Sequence, residues 1–303
     1  MKYCIIGDFH LTNHTPVCRT DDYPETQKNK LKWIFDYCVD NHVNKIVTVG
    51  DFFDKAQYPL HFISSCFSLF KPLNTYMVNI PFHSVAGNHD LTFKSLLSNN
   101  SAFGVLSESG IIKKEPPEDD KECVFHFCHY GEDIPEPEKD KFNVLIIHVG
   151  ISEEALNFEI KEPWYTAKDF LKEHKFDLVF SGHNHTRFKY SVRAGKRRLY
   201  NCGSICRSSV KQKDHEPYIY IFDSVTKEVE EIPIPIPDSR IVIDAERHEN
   251  RKEIDMKISS FVNGFEDSEK ISLDFFSNLW NSKNVNEAEE RVKKIITECV
   301  NGE

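Results

Sequence analysis

Five apolar, largely β-branched runs in this chain each end on a short segment punctuated by Gly and rich in Asp, Asn and His. Tyr3-Cys4-Ile5-Ile6 leads into Gly7-Asp8-Phe9-His10, and Lys45-Ile46-Val47-Thr48-Val49 into Gly50-Asp51-Phe52-Phe53-Asp54. The run from Ile80 to Val85, interrupted by Pro81, leads into Gly87-Asn88-His89-Asp90. Asn143-Val144-Leu145-Ile146-Ile147 closes on His148-Val149-Gly150, and Asp177-Leu178-Val179-Phe180 on Gly182-His183-Asn184-His185. Short apolar runs of this kind read as buried strands. The segments behind them then become loops at the carboxyl ends of a sheet, and polar side chains carried there converge. Amphipathic stretches lie between the strands. Leu31, Ile34, Phe35 and Cys38 form one stripe of a helix expected over 27–42, and Phe62, Cys66, Leu69 and Phe70 one stripe of a helix expected over 59–75.

The converging side chains are carboxylates, one carboxamide and imidazoles, with no thiolate. That donor set suits Mn²⁺, Fe²⁺, Zn²⁺ or Mg²⁺ better than a soft metal. Two such ions about 3.5–4 Å apart are a known device for phosphate-ester hydrolysis. A lone Asp-x-His or Gly-Asp means little, and a lone internal His is usually a satisfied core residue. Here the order of the segments and their strand context carry the reading.

With those residues in hand, the chain resembles the calcineurin-like metallophosphoesterases over about residues 1–235. The superfamily carries Asp-x-His, Gly-Asp, Gly-Asn-His-(Asp/Glu), His and Gly-His-x-His in this order. The resemblance implies an α/β fold: a four-layer α-β-β-α sandwich over residues 1–235, with a small C-terminal appendage over 236–303. It implies that Asp8, His10 and His185 hold one metal, that Asn88, His148 and His183 hold the second, and that Asp51 bridges them. By the same resemblance His89 is catalytic, stabilising the scissile phosphate or protonating the leaving oxygen, and Asp90 orients His89. Mn²⁺ is the first choice for both ions, with Fe²⁺, Zn²⁺ or Mg²⁺ as alternatives.

Secondary motifs are similar to those of SbcD-type nuclease subunits from bacteria and phages, which act in DNA repair and recombination. They are Gly50-Asp51-Phe52-Phe53-Asp54 with Pro59, then Tyr200-Asn201-Cys202-Gly203-Ser204 with Arg207, then Asp214-His215-Glu216-Pro217 before Tyr218-Ile219-Tyr220-Ile221-Phe222. An independent charge feature agrees. From Arg187 to Lys213 there are nine Lys or Arg and no Asp or Glu. Tyr190–Arg193 and Arg198–Tyr200 read as a hairpin around Ala194-Gly195. Arg187, Lys189, Arg193, Lys196, Arg197, Arg198 and Arg207 are therefore candidate nucleic-acid contacts. The bland alternative is a solvated hairpin on an acidic protein, since the formal net charge is -10. The acidity is uneven: residues 115–140 hold ten Asp or Glu among four prolines. That asymmetry fits a DNA channel on one face, or a partner that supplies most of the grip.

Nine cysteines in an unadorned chain suggest a reducing, cytoplasmic setting, including a host cytoplasm if the chain is phage-encoded. Cys202 with Cys206, and Cys123 with Cys128, read as small buried apolar residues. No run is long enough for a membrane span, and the chain passes from Met1 directly into a strand, so neither a membrane segment nor a signal peptide is expected. Trp164 and Tyr165, between two ligand strands, either stack on bases or pack. Ile232-Pro233-Ile234-Pro235-Ile236-Pro237 reads as a stiff linker. Beyond it, Ile241–Ile243 and Ile254–Ile258 are expected to add strands, and residues 268–300 to form amphipathic helices. Those helices either dock on the core or bind a partner. The SbcD resemblance implies a separate SbcC-type coiled-coil ATPase, since the chain carries no Gly-x₄-Gly-Lys-(Ser/Thr) loop. It also implies a homodimer. The expected activity is two-metal DNA phosphodiester hydrolysis, as exonuclease or endonuclease. The alternative on the same ligands is a small-molecule phosphomonoesterase or a cyclic-nucleotide phosphodiesterase.

Overall fold

Strand β1 (Lys2–Ile6) lies inside the first of two sheets. In the computed structural model, which describes residues 1–73, 79–92, 100–155, 162–192, 194–237, 239–266 and 294, β1 runs parallel to β2 (Lys45–Thr48). The parallel pairing continues through β3 (Phe82–Ser84) to β4 (Ile112–Lys113). On its other side β1 pairs antiparallel with β12 (Tyr218–Asp223), and β12 with β13 (Val229–Pro233). The second sheet is parallel through β5 (Val124–Cys128), β6 (Asn143–His148), β9 (Leu178–Gly182) and β11 (Arg197–Asn201), with β10 (Phe188–Val192) antiparallel at its edge. A short parallel ribbon joins β7 (Gly150–Ser152) to β8 (Trp164–Thr166). The five expected ligand strands are all present, and so is the hairpin.

Side-chain alternation sorts the core into layers, because successive residues of a strand face opposite ways. Cys4 and Ile6 pack with Leu31, Ile34 and Phe35 of α1 (Tyr23–Asp40), Phe62 of α2 (Leu60–Leu69) and Phe103 of α3 (Ala102–Glu108). Tyr3, Ile5, Val47 and Val49 face the other way and meet Val144, Ile146, Leu178 and Phe180 of the second sheet. Leu145, Ile147 and Val179 then pack on Phe170 and Leu171 of α4 (Ala167–Glu173). The result is the four-layer α-β-β-α sandwich. Each large apolar side chain buried in it contributes about 1.5–3 kcal/mol.

Helix α1 starts four residues before its expected position. The Asp22 side chain accepts from the Glu25 N–H at 3.1 Å and Pro24 sits in the first turn, a start signal outside the apolar stripe. Helix α2 gives way at its end to a 3₁₀ turn at Lys71–Leu73. Part of the acidic 115–140 segment is used structurally: Asp119 pairs with Lys45, and Asp120 accepts from the Tyr3 hydroxyl at 2.8 Å. The eight described cysteines are free and buried, and burial pushes the Cys128 thiol up to about 12.

Several expectations beyond residue 230 need correction. The proline-rich stretch, expected as a stiff linker, begins as part of the first sheet. Pro233 ends an edge strand, where a missing N–H is tolerated, and buried Ile234 donates its N–H to the Pro217 carbonyl at 2.9 Å. The first compact unit is Met1–Asp244. Ile241 and Val242 belong to α5 (Ser239–Val242), Ile243 makes an isolated bridge to Arg19, and Ile254–Ile258 lie in α6 (Ala245–Glu266), so neither run adds a strand to the sheets. Apolar runs this short carry too little periodicity to separate strand from helix, and the Glu, Arg and Lys around Ile254 favour helix. The second unit begins at Ala245; α6 is its described helix. The helices expected over 268–300 lie outside the described residues except for position 294. No described helix is long and apolar enough to cross a membrane.

Candidate metal centre

The loops after β1, β2, β3 and β9, with the last residue of β6, bring all seven expected ligands to one place. Besides a third grouping of His10, Asp54 and His89, which reuses His10, two groupings of the expected ligands are close enough to share an ion each: Asp8, His10 and His185, and Asp51, His148 and His183. Asp51 Oδ2 lies between them, 3.6 Å from His10 Nε2 and 3.3 Å from His148 Nε2. Asn88 Oδ1 completes the second grouping, 3.2 Å from His148 Nε2 and 3.0 Å from His183 Nδ1. In the first, His10 Nε2 and His185 Nε2 approach to 2.9 Å, and Asp8 Oδ2 is 3.8 Å from His185 Nε2.

The backbone is bent to achieve this. His10, Asp51 and His183 have φ of 51°, 47° and 78°, a region that costs a non-Gly residue on the order of 1–3 kcal/mol. The loops brace one another: His10 N–H donates to the Asp51 carbonyl at 2.9 Å, and His183 N–H to Asp8 Oδ2 at 2.9 Å. Gly50 (φ 105°) takes a turn that side chains avoid, and a Cβ there would run into the His148 ring. Gly87 must be bare for the same kind of reason, because a Cβ would overlap the Asp51 carboxylate.

The electrostatics fit a cation pair. Burial pushes His10 down to about 3 and His185 down to about 4, and it lowers His183, so these rings are neutral and offer lone pairs. Burial pushes His148 down as well, but the Asp51 carboxylate outweighs it and holds the ring up to about 9. Burial raises Asp8 well above the ordinary carboxylate range, whereas at Asp51 the opposing pull of His148 wins and the carboxyl stays low. Asp8 Oδ1 is buried without a hydrogen-bond partner. A buried carboxyl oxygen left without a partner among converging imidazoles is an incomplete arrangement, and a divalent ion completes it.

Outer partners fix the rings. His148 Nδ1 lies 2.8 Å from the Val49 carbonyl and His89 Nδ1 2.6 Å from the Asp54 carbonyl. A carbonyl only accepts, so both Nδ1 atoms carry the proton and both Nε2 atoms face the site. His183 Nε2 lies 2.9 Å from Glu162 Oε1. The roles of Val49 and Asp54 come from backbone oxygens, which side-chain patterns do not reveal. Glu162 lies in a stretch that carries no motif. Asp54 also places its carboxylate 3.8 Å from His10 Nδ1.

Asp90 is not where the resemblance implied. Its carboxylate accepts from the backbone N–H groups of Phe52, Phe53 and Gly87 at 3.2, 2.9 and 3.0 Å, and it does not bond His89. Burial, then Asp51, raises it to about 7. Asp90 thus ties two ligand loops together and leaves His89 to Asp54.

The basic residues are also redistributed. Arg197 and Arg207, expected to contact nucleic acid, are 7% and 3% exposed. Arg197 donates to the carbonyls of Phe176 and His174, and Arg207 to those of Lys213 and Pro237, which takes both off the surface. Arg187 lies over the Tyr218 ring and shares Glu231 with Lys189, and Arg198 pairs with Glu228. Lys196 is exposed, and Arg193 lies outside the described residues. Trp164 and Tyr165 are half-buried. The Trp164 ring centroid is 5.7 Å from that of His183, and the Tyr165 ring packs edge-on against Phe170.

A two-sheet sandwich with paired His/Asp groupings at the ends of its strands defines a metal-dependent phosphoesterase. The chain belongs to the calcineurin-like phosphoesterase family, whose model matches residues 1–187. No curated protein sequence matches it. Among solved structures it is similar to a novel archaeal phosphodiesterase, at 19% identity over 77% of this chain and 99% of that one, with a TM-score of 0.41. It is also similar to the TT1561 protein of Thermus thermophilus, at 12% identity over 77% of this chain and 99% of that one, TM-score 0.43. The third is GAP50, the anchor in the inner membrane complex of Plasmodium, at 12% identity over 79% of this chain and 90% of that one, TM-score 0.42.

Proposed function

We propose that the chain hydrolyses DNA phosphodiester bonds and is the nuclease subunit of an SbcCD-like complex, working with an SbcC-type ATPase and as a homodimer. The observation that carries the phosphoester chemistry is Asp51 set between two ligand groupings. Asp8, His10 and His185 would hold one divalent ion, Asn88, His148 and His183 the other, with Asp51 shared and Mn²⁺ the first choice. A bound ion pair supplies Lewis acidity, neutralising phosphate oxygens and lowering the pKa of water. The protein does the rest. Its bent loops fix the ligand atoms before substrate arrives, which favours an in-line attack geometry. His89 keeps its Nδ1 proton on the Asp54 carbonyl, so Nε2 is the atom turned to the leaving oxygen; it delivers a proton there from the doubly protonated ring, which is left as the Nδ1–H imidazole. Asp90 holds the Gly50 and Gly87 loops in register.

The resemblance of Gly50–Asp54 with Pro59, and of Tyr200–Ser204 with Arg207, to SbcD-type motifs supports DNA as substrate, as do the exposed Lys196 in the hairpin turn and the exposed Lys211, which lines a cavity with His185 and Arg187. A second reading, a small-molecule phosphomonoesterase or cyclic-nucleotide phosphodiesterase, draws support from the internal pairing of Arg187, Lys189 and Arg198 with Glu231 and Glu228. The test is Mn²⁺-dependent cleavage of end-labelled single- and double-stranded DNA, with chelator and His89→Asn controls, beside a chromogenic phosphomonoester. DNA cleavage lost in both controls supports the nuclease. Brisk monoester hydrolysis with intact DNA favours the second reading.

A further inference from the structure

Glu162 stands just beyond the second grouping, in the connection between β7 and β8. Its Oε1 is 2.9 Å from His183 Nε2, and its Oε2 accepts from the Tyr130 hydroxyl at 2.8 Å. His183 Nδ1 lies 3.0 Å from Asn88 Oδ1, and for both atoms to offer lone pairs to one ion the ring proton must sit on Nε2. An ionised carboxylate has only acceptors, so Glu162 selects that tautomer. The Tyr130 and Trp164 rings flank His183, with centroids at 5.9 and 5.7 Å, and limit how far the imidazole turns. Tyr130 is itself tied to the Asn88 loop, because its N–H donates to the Ala86 carbonyl at 2.9 Å. One short chain of bonds therefore runs from the Gly87-Asn88 loop through Tyr130 and Glu162 back to His183.

We propose that Glu162 is a positioning residue for the second metal, holding His183 in its Nε2–H tautomer with Nδ1 aimed at the site, and that Tyr130 holds Glu162. The proposal rests on the two-ion reading of the centre. A carboxylate behind a ligating imidazole orients the ring and raises its basicity, and removing such a partner lowers metal affinity about 10–100-fold. The simpler view is that a half-exposed Glu makes an incidental ion pair with a His. The two views differ in what happens at one ion.

The test is calorimetric titration of Mn²⁺ into the chelator-stripped full chain for the wild type, Glu162→Ala, Glu162→Gln and Tyr130→Phe, with the His183 tautomer read from imidazole nitrogen resonances of the ion-free protein. The wild type is expected to bind two ions and to show Nε2–H. Glu162→Ala is expected to keep one ion at wild-type affinity, to bind the other about 10–100-fold more weakly, and to lose the single tautomer. Gln restores most of the loss, since its amide oxygen still accepts. Tyr130→Phe weakens the same ion by less. Should the Ala variant not fold, the Gln and Phe variants carry the comparison. Two ions bound at unchanged affinity in Glu162→Ala, an equal loss at both ions, or a Gln variant as weak as Ala each overturn the proposal. A wild type that binds no ion overturns the two-ion reading itself, and with it the role of Glu162.

Discussion

His89 Nδ1 donates to the backbone carbonyl of Asp54 at 2.6 Å, and that bond sets the ring without help from Asp90. The orienting group is a main-chain oxygen, so no substitution of the Asp54 side chain removes it. The ring's other nitrogen, Nε2, faces the site.

His89→Asn removes the proposed proton donor and spares every expected ligand. The variant is expected to bind two Mn²⁺ ions as the wild type does, while kcat on a chromogenic diester falls about 10²–10⁴-fold. Calorimetry and steady-state kinetics check the two halves. Wild-type kcat would remove His89 from the acid role.

Asp90→Ala strips the acceptor from three buried backbone N–H groups, and each left unsatisfied costs about 1–3 kcal/mol. The expected outcome is a loss of at least about 3 kcal/mol in chelator-treated protein, read from denaturant unfolding. Asp90→Asn keeps one oxygen and falls between the two. Unchanged stability with kcat as low as that of His89→Asn would return Asp90 to the ring-orienting role.

Buried His83 gives a pH dependence away from the metal centre. Burial holds it below its ordinary value, so between the folded and unfolded values the unfolded chain binds the extra proton. Its contribution is therefore complete above the unfolded value of about 6.5 and is lost as pH falls below it. Unfolding free energies of ion-free protein at pH 5 and pH 7 are expected to differ less in His83→Phe than in the wild type. Equal differences would mean that His83 does not titrate within this range.

Glu231 neutralises both Arg187 and Lys189. If the hairpin grips DNA, Glu231→Gln is expected to tighten binding and to steepen the dependence of log K on log salt by about 0.9 for each added phosphate contact. Fluorescence anisotropy at several salt concentrations measures this in chelator, where no cleavage occurs. An unchanged slope would place the DNA path elsewhere.

How much the sequence revealed depended on where the information lay. The strands after which Asp8, Asp51, Asn88, His148 and His183 stand were legible, because their apolar runs are uninterrupted or nearly so and each ends on Gly or His. The convergence of those side chains was legible from their order. The Asp54, Val49 and Glu162 anchors were not, since two act through backbone oxygens and the third lies in a motif-free connection. Arg197 and Arg207 were misread because charge in a sequence carries no record of burial. A guanidinium can be satisfied by carbonyls as readily as by phosphate. The Asp22 cap of α1 lies outside the apolar stripe, which begins later, so the stripe alone places the start of the helix too far along the chain.

The seven expected ligands divide between the two sheets: Asp8, His10, Asp51 and Asn88 follow strands of the first, and His148, His183 and His185 follow strands of the second. Ions shared across that division would rivet the sheets at one end of the sandwich. Protease resistance, heat tolerance and cellular lifetime would then track metal supply, and a cell short of the metal would lose the protein as well as its activity.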